Sequence, residues 1–393
     1  MKRVVIIGGG FGGLRTAYNL INNFEIVLIN SRNYFLFTPL LHEVSVGSIN
    51  RHNVVEPIRE AIRHKNFKFL RTTASKIEFD NKKVFYREGT IKYDYLVIAI
   101  GASVNYYNIK GADKYTLCLK TVQDSIQIRN RLLEMMENNA LTPVSDNTLC
   151  VIGAGPTGVE LTGDICDFLA ENSHNYPNFR YNIYLIQAIK DILPILSNKS
   201  RQSVVIKLKE KGVKILTSTA VTEVKKNLVI MGNKKIQASL IIWSGGTKPN
   251  FIETIPKVQN EKGYLTVDSY LRVRDNVFAL GDCAYNAENP VPALAQVAVK
   301  QAEIVSKNII NLDKGRMLEE FNFRNKGILV SVGNKYAVAD LLFFNRTIHL
   351  KGIIPWFLKR HIYLMNLIGW KNKIHVGIEW FINLIFPRDT SEI

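Results

Sequence analysis

The sequence predicts an α/β protein: two Rossmann-like dinucleotide-binding domains followed by a C-terminal amphipathic membrane-anchoring segment. Three observations lead there. A Val/Ile run at 4–7 opens into glycines at 8, 10 and 13. The same spacing returns at 153, 155 and 158. Residues 353–386 then combine apolar residues at helical spacing with tryptophans and bases. A GxGxxG triplet is informative only where a strand precedes it and a helix follows, and both copies have that setting.

The first unit begins at once. Val4-Val5-Ile6-Ile7 reads as a buried strand, Gly8 to Gly13 as the turn, Arg15-Thr16-Ala17-Tyr18-Asn19-Leu20 as a helix, and Glu25-Ile26-Val27-Leu28-Ile29 as the next strand. The glycines let the backbone approach a pyrophosphate, and the helix N-terminus presents N–H groups to it. No signal peptide is visible, because Met1-Lys2-Arg3 leads straight into the strand.

The second unit repeats the plan. Thr148 to Ile152 is a strand, Gly153-Ala154-Gly155-Pro156-Thr157-Gly158 the turn, and Ile183-Tyr184-Leu185-Ile186 a strand after a long helix. Two units imply two dinucleotides with electrons passing between them. Both second strands end in an amide, Asn30 and Gln187, where an acid usually accepts from the ribose 2′-hydroxyl. Gln187 does not repel a 2′-phosphate, and Lys190 follows three residues on, so a 2′-phosphorylated dinucleotide stays open here. Three further strands end in small residues or an acid: 94–102 with Gly101, 240–246 with Gly245 and Gly246, and 277–282 with Asp282. Glycines at such tips let a flat ring or phosphate reach the backbone.

In the C-terminal segment, Pro355 and Gly369 bracket one expected helix, and a second is expected over about 373–385. Trp356, Tyr363, Trp370 and Trp380 are aromatics of the kind enriched at membrane interfaces. Between 351 and 388 stand six bases (351, 359, 360, 371, 373, 388) against Glu379 alone, a local +5. The pair reads as a monotopic anchor; docked core helices or a dimer interface is the competing reading.

Composition bounds the rest. The chain has 393 residues, 47% hydrophobic and 22% charged, which suggests two or three folded domains. The charge of +17 is spread along the chain with no block of five bases, which disfavours a nucleic-acid arm. Cysteines 118, 150, 166 and 283 form no CxxC pair, so no zinc ribbon, iron–sulfur site or dithiol pair is expected. The seven histidines show no ligand spacing, so no metal is expected. No run of 18 apolar residues offers a spanning helix.

The chain resembles the two-dinucleotide-binding-domain flavoproteins, and among them the type II NADH dehydrogenases, single-subunit NADH:quinone oxidoreductases. The resemblance rests on both glycine motifs and on Tyr34-Phe35-Leu36-Phe37-Thr38-Pro39-Leu40-Leu41. It extends through Trp243 to Asn250, Gly281-Asp282-Cys283-Ala284, Ala293 to Ala298 and Trp380 to Asp389. It implies FAD in the first unit, held by Gly8, Gly10, Phe11, Gly12, Gly13, Asn30, Ser31, Ala74, Gly101, Asp282, Ala295 and Gln296. It implies NADH in the second, at Gly153, Gly155, Gly158, Glu160, Gln187, Gly245 and Gly246, with Glu160 beside the nicotinamide.

The family pattern Ala-Gln-x-Ala-x-Gln reads here Ala295-Gln296-Val297-Ala298-Val299-Lys300. Gln296 and Lys300, four apart on one helix face, are therefore the expected quinone contacts with Glu160 as the third catalytic residue. The implied layout is an FAD domain at 1–115 and 275–320, an NAD(P)H domain at 116–274 and an anchor at 321–393. The implied reaction is oxidation of NADH with two-electron reduction of a membrane quinone, without proton pumping. The implied place is the cytoplasmic face of the cell membrane, on an anionic surface, with a homodimer open. The alternatives are a sulfide:quinone-type oxidoreductase and a soluble flavoprotein that donates electrons to a protein.

Overall fold

The computed structural model describes residues 1–141, 147–343 and 346–391. The described chain divides into two compact units, residues 1–36, 55–103 and 247–324 in the first, and 37–54, 104–246 and 325–393 in the second.

The first unit is built on a six-stranded sheet in the order Arg272–Arg274, Val277–Ala279, Tyr95–Ile98, Arg3–Ile7, Glu25–Asn30, Phe67–Arg71. All neighbours run parallel except the edge pair Arg272–Arg274 and Val277–Ala279. Val4, Ile6, Leu28, Leu96, Val97 and Phe278 are fully buried, as expected of a sheet covered on both faces. Helix Phe11–Leu20 follows the first strand and packs on helix Ala295–Asp313. A second sheet joins the hairpins Ala74–Glu78, Lys83–Tyr86 and Gly89–Lys92 to the parallel strand Glu253–Ile255.

The second unit has a five-stranded, all-parallel sheet: Leu117–Cys118, Leu240–Trp243, Asn147–Ile152, Tyr181–Ile186, Val213–Leu216. Helix Pro156–Glu171 leaves the central strand, with Pro156 in its first turn, where a missing N–H costs nothing. Helix Asn198–Glu210 is capped by the Ser197 hydroxyl, which accepts from the Ser200 amide. The C-terminal part is an antiparallel meander, Gly327–Ser331, Ala337–Phe343, Arg346–Gly352, followed by helices Ile353–Asn366 and Trp370–Ile382.

The observed units and the expected layout divide the chain differently at residues 37–54, 104–115, 247–274 and 321–324, and in the C-terminal segment. Residues 247–274 join the first unit because Glu253–Ile255 extends the sheet of Ala74–Glu78, and Leu265–Thr266 pairs with Ala284–Tyr285. Residues 37–54 join the second unit. The C-terminal segment is no separate cap: Trp356, Lys359, Val376 and Trp380 lie in the core of the second unit. Its helices also begin earlier than expected, with Gly352 and Gly369 as their N-caps and Pro355 inside the first turn.

Gly163, mid-way along Pro156–Glu171, marks where that helix meets the meander. A Cβ there would stand 2.5 Å from the Gly333 amide nitrogen and 2.7 Å from the Val332 carbonyl carbon. Helix propensity alone would make Gly163→Ala stabilising by up to about 1 kcal/mol. Backbone cannot yield as a side-chain end can, so overpacking of about 1–3 kcal/mol should win. Thermal melting should show Gly163→Ala below wild type by several degrees; an equal or higher midpoint would mean the meander shifts freely.

Candidate active site

Each glycine in the first loop answers a different demand. Gly8 has φ +108°, and a Cβ on it would strike the Ala99 carbonyl; one on Gly13 would strike the Gly8 carbonyl. These two are required by the fold. Gly10 has nothing within 4 Å of its Cβ position, and it is the N-cap of Phe11–Leu20 with no side chain capping the helix. That opening beside an uncapped helix start fits a pyrophosphate. The second loop repeats the scheme. Gly153 (φ +102°) would press a Cβ to 2.6 Å from the Ser244 carbonyl, Gly158 would strike Gly153, and Gly155 is open and uncapped.

The strand-end amides also match. Asn30 Oδ1 accepts from the Gly9 amide at 2.9 Å, while its Nδ2 donates to the Arg32 carbonyl at 2.8 Å. Gln187 Oε1 accepts from the Ala154 amide at 3.0 Å, while its Nε2 donates to the Asp191 carbonyl at 3.3 Å. Both therefore brace the second residue of their glycine loop, a role the sequence reading did not foresee when it set them against riboses. An acid could accept the same N–H but could not donate onward.

Elsewhere in the first unit, Gly281 has φ +73° and opens the short turn Gly281–Cys283 that carries Asp282. Its amide donates to Gln301 Oε1 at 2.7 Å. Gly281, Asp282, Leu294, Val297, Gln301 and Tyr264 line a cavity of about 500 Å³. Gly101 (φ +68°) leaves its Cβ position open, and Asn250 holds that tip: its amide donates to Gly101 and its Nδ2 to the Ile100 carbonyl. Ala74 opens strand Ala74–Glu78, Ser31 is exposed beyond Asn30, and Phe11 lies edge-on to Phe35 at 5.0 Å.

Ala295 starts helix Ala295–Asp313. Gln296 and Lys300 are both exposed, and Lys300 Nζ pairs with Glu303 at 2.9 Å. The buried side chain of that stretch is Gln301, whose one-residue offset puts its amide on Gly281 rather than on the outer face. In the second unit, the Ser244 hydroxyl donates to the Gly153 carbonyl at 2.8 Å, and Gly246 (φ +138°) would strike the Tyr107 hydroxyl with a Cβ.

Glu160 stands at the centre of a buried charge cluster. Its Oε1 accepts from Lys359 Nζ at 2.6 Å and from the Ser331 amide at 3.3 Å; its Oε2 lies 3.5 Å from His42 Nε2. His42 Nδ1 lies 2.6 Å from the Asp164 carboxylate, one helical turn beyond Glu160. Lys359 also donates to the Ser331 hydroxyl at 2.7 Å. Glu160, Asp164, His42 and Lys359 are each under 7% exposed. Arg388 donates to the Asp164 carbonyl and reaches Glu171; Trp380 Nε1 donates to Glu43 at 2.6 Å; and the Arg360 guanidinium stacks on Trp356 and Trp380.

These environments move the titrations. Burial and the Lys359 cation push the His42 imidazolium down, but the Glu160 and Asp164 carboxylates more than offset them, so its pKa is raised. Burial raises the Asp164 carboxyl, and His42 beside it brings it below the usual value. Lys359 is held charged despite burial, chiefly by Glu160. Burial pushes Cys150 and Cys166 up to about 12 and Cys118 and Cys283 up to about 11, so all four are neutral thiols near pH 7. Sulfide chemistry needs a reactive thiolate and finds no support in them.

Half of the C-terminal bases thus face inward. Lys359 and Arg388 are buried, Arg360 keeps 15% of its side chain exposed, and Trp356 and Trp380 are core residues rather than interface aromatics. The expected local +5 at the surface shrinks to Lys351, Lys371 and Lys373. The cluster itself escaped the sequence reading: Lys359 sits in an aromatic, basic stretch that looks like surface, and His42 and Asp164 are remote in sequence.

The sequence profile of the pyridine nucleotide-disulphide oxidoreductases matches residues 2–302, and that of the NDH2 C-terminal domain matches 325–389. A probable NADH dehydrogenase of Dictyostelium discoideum is 32% identical over 99% of this chain and 91% of its own. The chain is a type II NADH dehydrogenase, a member of the pyridine nucleotide-disulphide oxidoreductases. An internal alternative NAD(P)H-ubiquinone oxidoreductase of Arabidopsis thaliana mitochondria is 29% identical over 100% of this chain and 86% of its own. The fold is that of NDH2 from Plasmodium falciparum, solved in complex with NADH: TM-score 0.91, 24% identity, 99% of each chain covered.

For this dehydrogenase, Gly10→Ala and Gly8→Ala should separate ligand from fold. Gly10→Ala has room in the protein alone, so the melting midpoint of the flavin-free chain should stay within about 1 °C of wild type. Its flavin affinity should fall at least about tenfold, or roughly 1.4 kcal/mol. Gly8→Ala should lower the midpoint itself. Flavin retained at wild-type affinity by Gly10→Ala would remove the pyrophosphate from this loop.

Gln187→Glu keeps the acceptor for Ala154 but turns a donor to Asp191 into a repelling oxygen. The kcat/KM ratio of NADH over NADPH should rise about tenfold if residue 187 also meets the ribose. Loss of both activities in parallel would make residue 187 a loop brace alone.

Proposed function

We propose that this chain oxidises NADH through bound FAD and delivers the two electrons to a membrane quinone; its relatives are named as a probable NADH dehydrogenase and an NAD(P)H-ubiquinone oxidoreductase. The observation that carries the reading is the pair of glycine loops, each open at its second motif glycine, without a redox cysteine pair. The flavin accepts hydride and passes on electron pairs; the protein supplies binding, orientation and charge.

Gly8, Gly10, Phe11, Gly12 and Gly13 hold the FAD pyrophosphate, with Asn30, Ser31 and Ala74 toward the adenosine. Gly101, Asp282, Ala295 and Gln296 serve the flavin end. Gly153, Gly155 and Gly158 hold the nucleotide pyrophosphate, with Gln187, Gly245 and Gly246 along the ribose and Glu160 at the nicotinamide. NADPH is accepted beside NADH because Gln187 carries no negative charge. Gln296 and Lys300 present one exposed helix face to the quinone, and Lys300 favours the negative charge that develops there on reduction.

The C-terminal helices lie on an anionic membrane face as a peripheral anchor. Among the described residues no helix is long and apolar enough to cross a membrane. Phe357, Met365, Trp370, Ile374, Phe381 and Phe386 are 51–81% exposed, an unusual share for large apolar side chains in one segment. Three surface lysines contribute about 1 kcal/mol each. Each large apolar side chain taken into lipid contributes about 1.5–3 kcal/mol, so apolar insertion dominates.

A deletion of the segment would confound anchoring with the loss of Lys359, Trp380 and Arg388 from the core. Surface replacement isolates it. Phe357→Ser, Ile374→Ser, Ile378→Ser and Phe381→Ser combined should abolish co-sedimentation with anionic liposomes. NADH:ferricyanide activity should stay within about twofold. High salt should weaken wild-type pelleting only in part. Pelleting equal to wild type would place the anchor elsewhere and leave this face to a second copy of the chain.

A further inference from the structure

Turnover consumes a proton: NADH, a quinone and one proton give NAD⁺ and the quinol. A side chain near the reaction must hold it. The charge cluster offers a candidate. Asp164, His42 and Glu160 form a carboxylate–imidazole–carboxylate row, with the two acids one turn apart on helix Pro156–Glu171 and the imidazole across them. With its Nδ1–H donated to Asp164, His42 turns Nε2 toward Glu160, 3.5 Å away, a separation that closes on proton exchange with a small ring rotation.

The other groups around His42 are accounted for. Lys359 Nζ, 3.4 Å from Nε2, spends its strong hydrogen bonds on Glu160 and Ser331. Glu43 is engaged by Trp380 and Arg360, Asp164 has Arg388 behind it, and Tyr363 is held neutral by burial. Lys359 pairs with Glu160, Arg360 with Glu43 and Arg388 with Glu171, while the Asp164 carboxylate faces His42 Nδ1. A cavity of about 20 Å³ lined by Asp164, Ser331, Lys359, Tyr363 and Arg388 has room for one water.

We propose that His42 and Asp164 are positioning residues for turnover: His42 holds the proton that each cycle consumes and passes it from Nε2 to the Glu160 carboxylate, which gives it up to the quinone as that is reduced and returns to its pair with Lys359, and Asp164 draws the next one onto the imidazole. This rests on the reading that places Glu160 at the nicotinamide. Hydride transfer from NADH needs no proton from the row, so only quinone reduction depends on it. The sign is fixed by the raised His42 pKa. The folded protein binds that proton more tightly than the unfolded chain, so the stability it adds is full below about pH 6.5 and is lost as pH rises through the folded value.

Three holoenzymes test this: wild type, His42→Asn and Asp164→Asn, each checked by circular dichroism. In weakly buffered stopped flow with a pH-indicator dye, wild type should take up one proton per quinol formed. His42→Asn should slow quinol formation at least about tenfold at neutral pH, keep flavin bleaching by NADH within about twofold, and lose the alkaline fall of kcat. Histidine 13C NMR gives a reading independent of activity: the His42 resonance should titrate above a free imidazole in wild type and below its wild-type midpoint in Asp164→Asn. An unchanged alkaline limb in His42→Asn, or an unchanged His42 midpoint in Asp164→Asn, overturns the proposal. Glu160→Gln separates the underlying reading: wild-type KM for NADH and wild-type bleaching in that variant would remove Glu160 from the nicotinamide, whatever His42 does.

Discussion

Lys359 sets an ammonium against the Glu160 carboxylate with only 3% of its side chain exposed. An isolated charge at that depth would cost several kcal/mol, and mutual attraction offsets it only with further hydrogen bonds to the pair. Ser331 supplies a backbone amide to the acid and a hydroxyl to the base. Removing either member strands the other, at about 3–5 kcal/mol. The pair is therefore a constraint before it is chemistry. It ties helix Ile353–Asn366 to helix Pro156–Glu171 beside strand Gly327–Ser331, on which both helices pack.

That constraint explains the two-sided character of the last sixty residues. Arg360 lies between Trp356 and Trp380, Trp380 holds Glu43, Arg388 reaches Asp164 and Glu171, and Arg129 binds the carbonyl of Asp389. The Arg360 stack braces the segment internally, and the other contacts fasten its inward face to Glu43, Arg129, Asp164 and Glu171 of the same unit. The outward face is then free to be apolar without threatening the fold, since none of its exposed residues carries the attachment.

The sequence made the sheets legible because buried parallel strands read as continuous apolar runs, at 4–7, 26–29, 95–98 and 149–152, the first and last leading straight into glycine. The glycine loops were legible for the same reason: each position answers a local demand. What stayed hidden depends on distance in the chain. Charge counted along 351–388 gives no hint that Lys359 and Arg388 point inward, because their partners lie 199 and 217 residues away. The unit boundaries at 246 and 324 were hidden likewise, since edge strands such as Glu253–Ile255 declare their sheet only through pairing. Gln301 shows the limit on one helix. A shift of one residue from the family spacing turned a side chain by about 100° and placed it on Gly281 instead of the outer face.

The two glycine loops show how a repeated local solution acquires different functions. Asn30 and Gln187 brace equivalent amides with equivalent carbonyls, and both donate onward to a backbone carbonyl, at Arg32 and Asp191. Neither loop distinguishes its ligand by this brace. The difference lies one turn into the following helix. There the first unit carries Leu14 and Arg15, while the second carries Val159 and Glu160, and only the second has a buried acid with a cation and an imidazole behind it. If the nicotinamide lies beside Glu160 as proposed, the carboxylate favours the positive charge the ring gains on giving up hydride, and Lys359 opposes it in part. The C-terminal segment would then act on the nucleotide site through one buried ion pair, the Lys359–Glu160 contact.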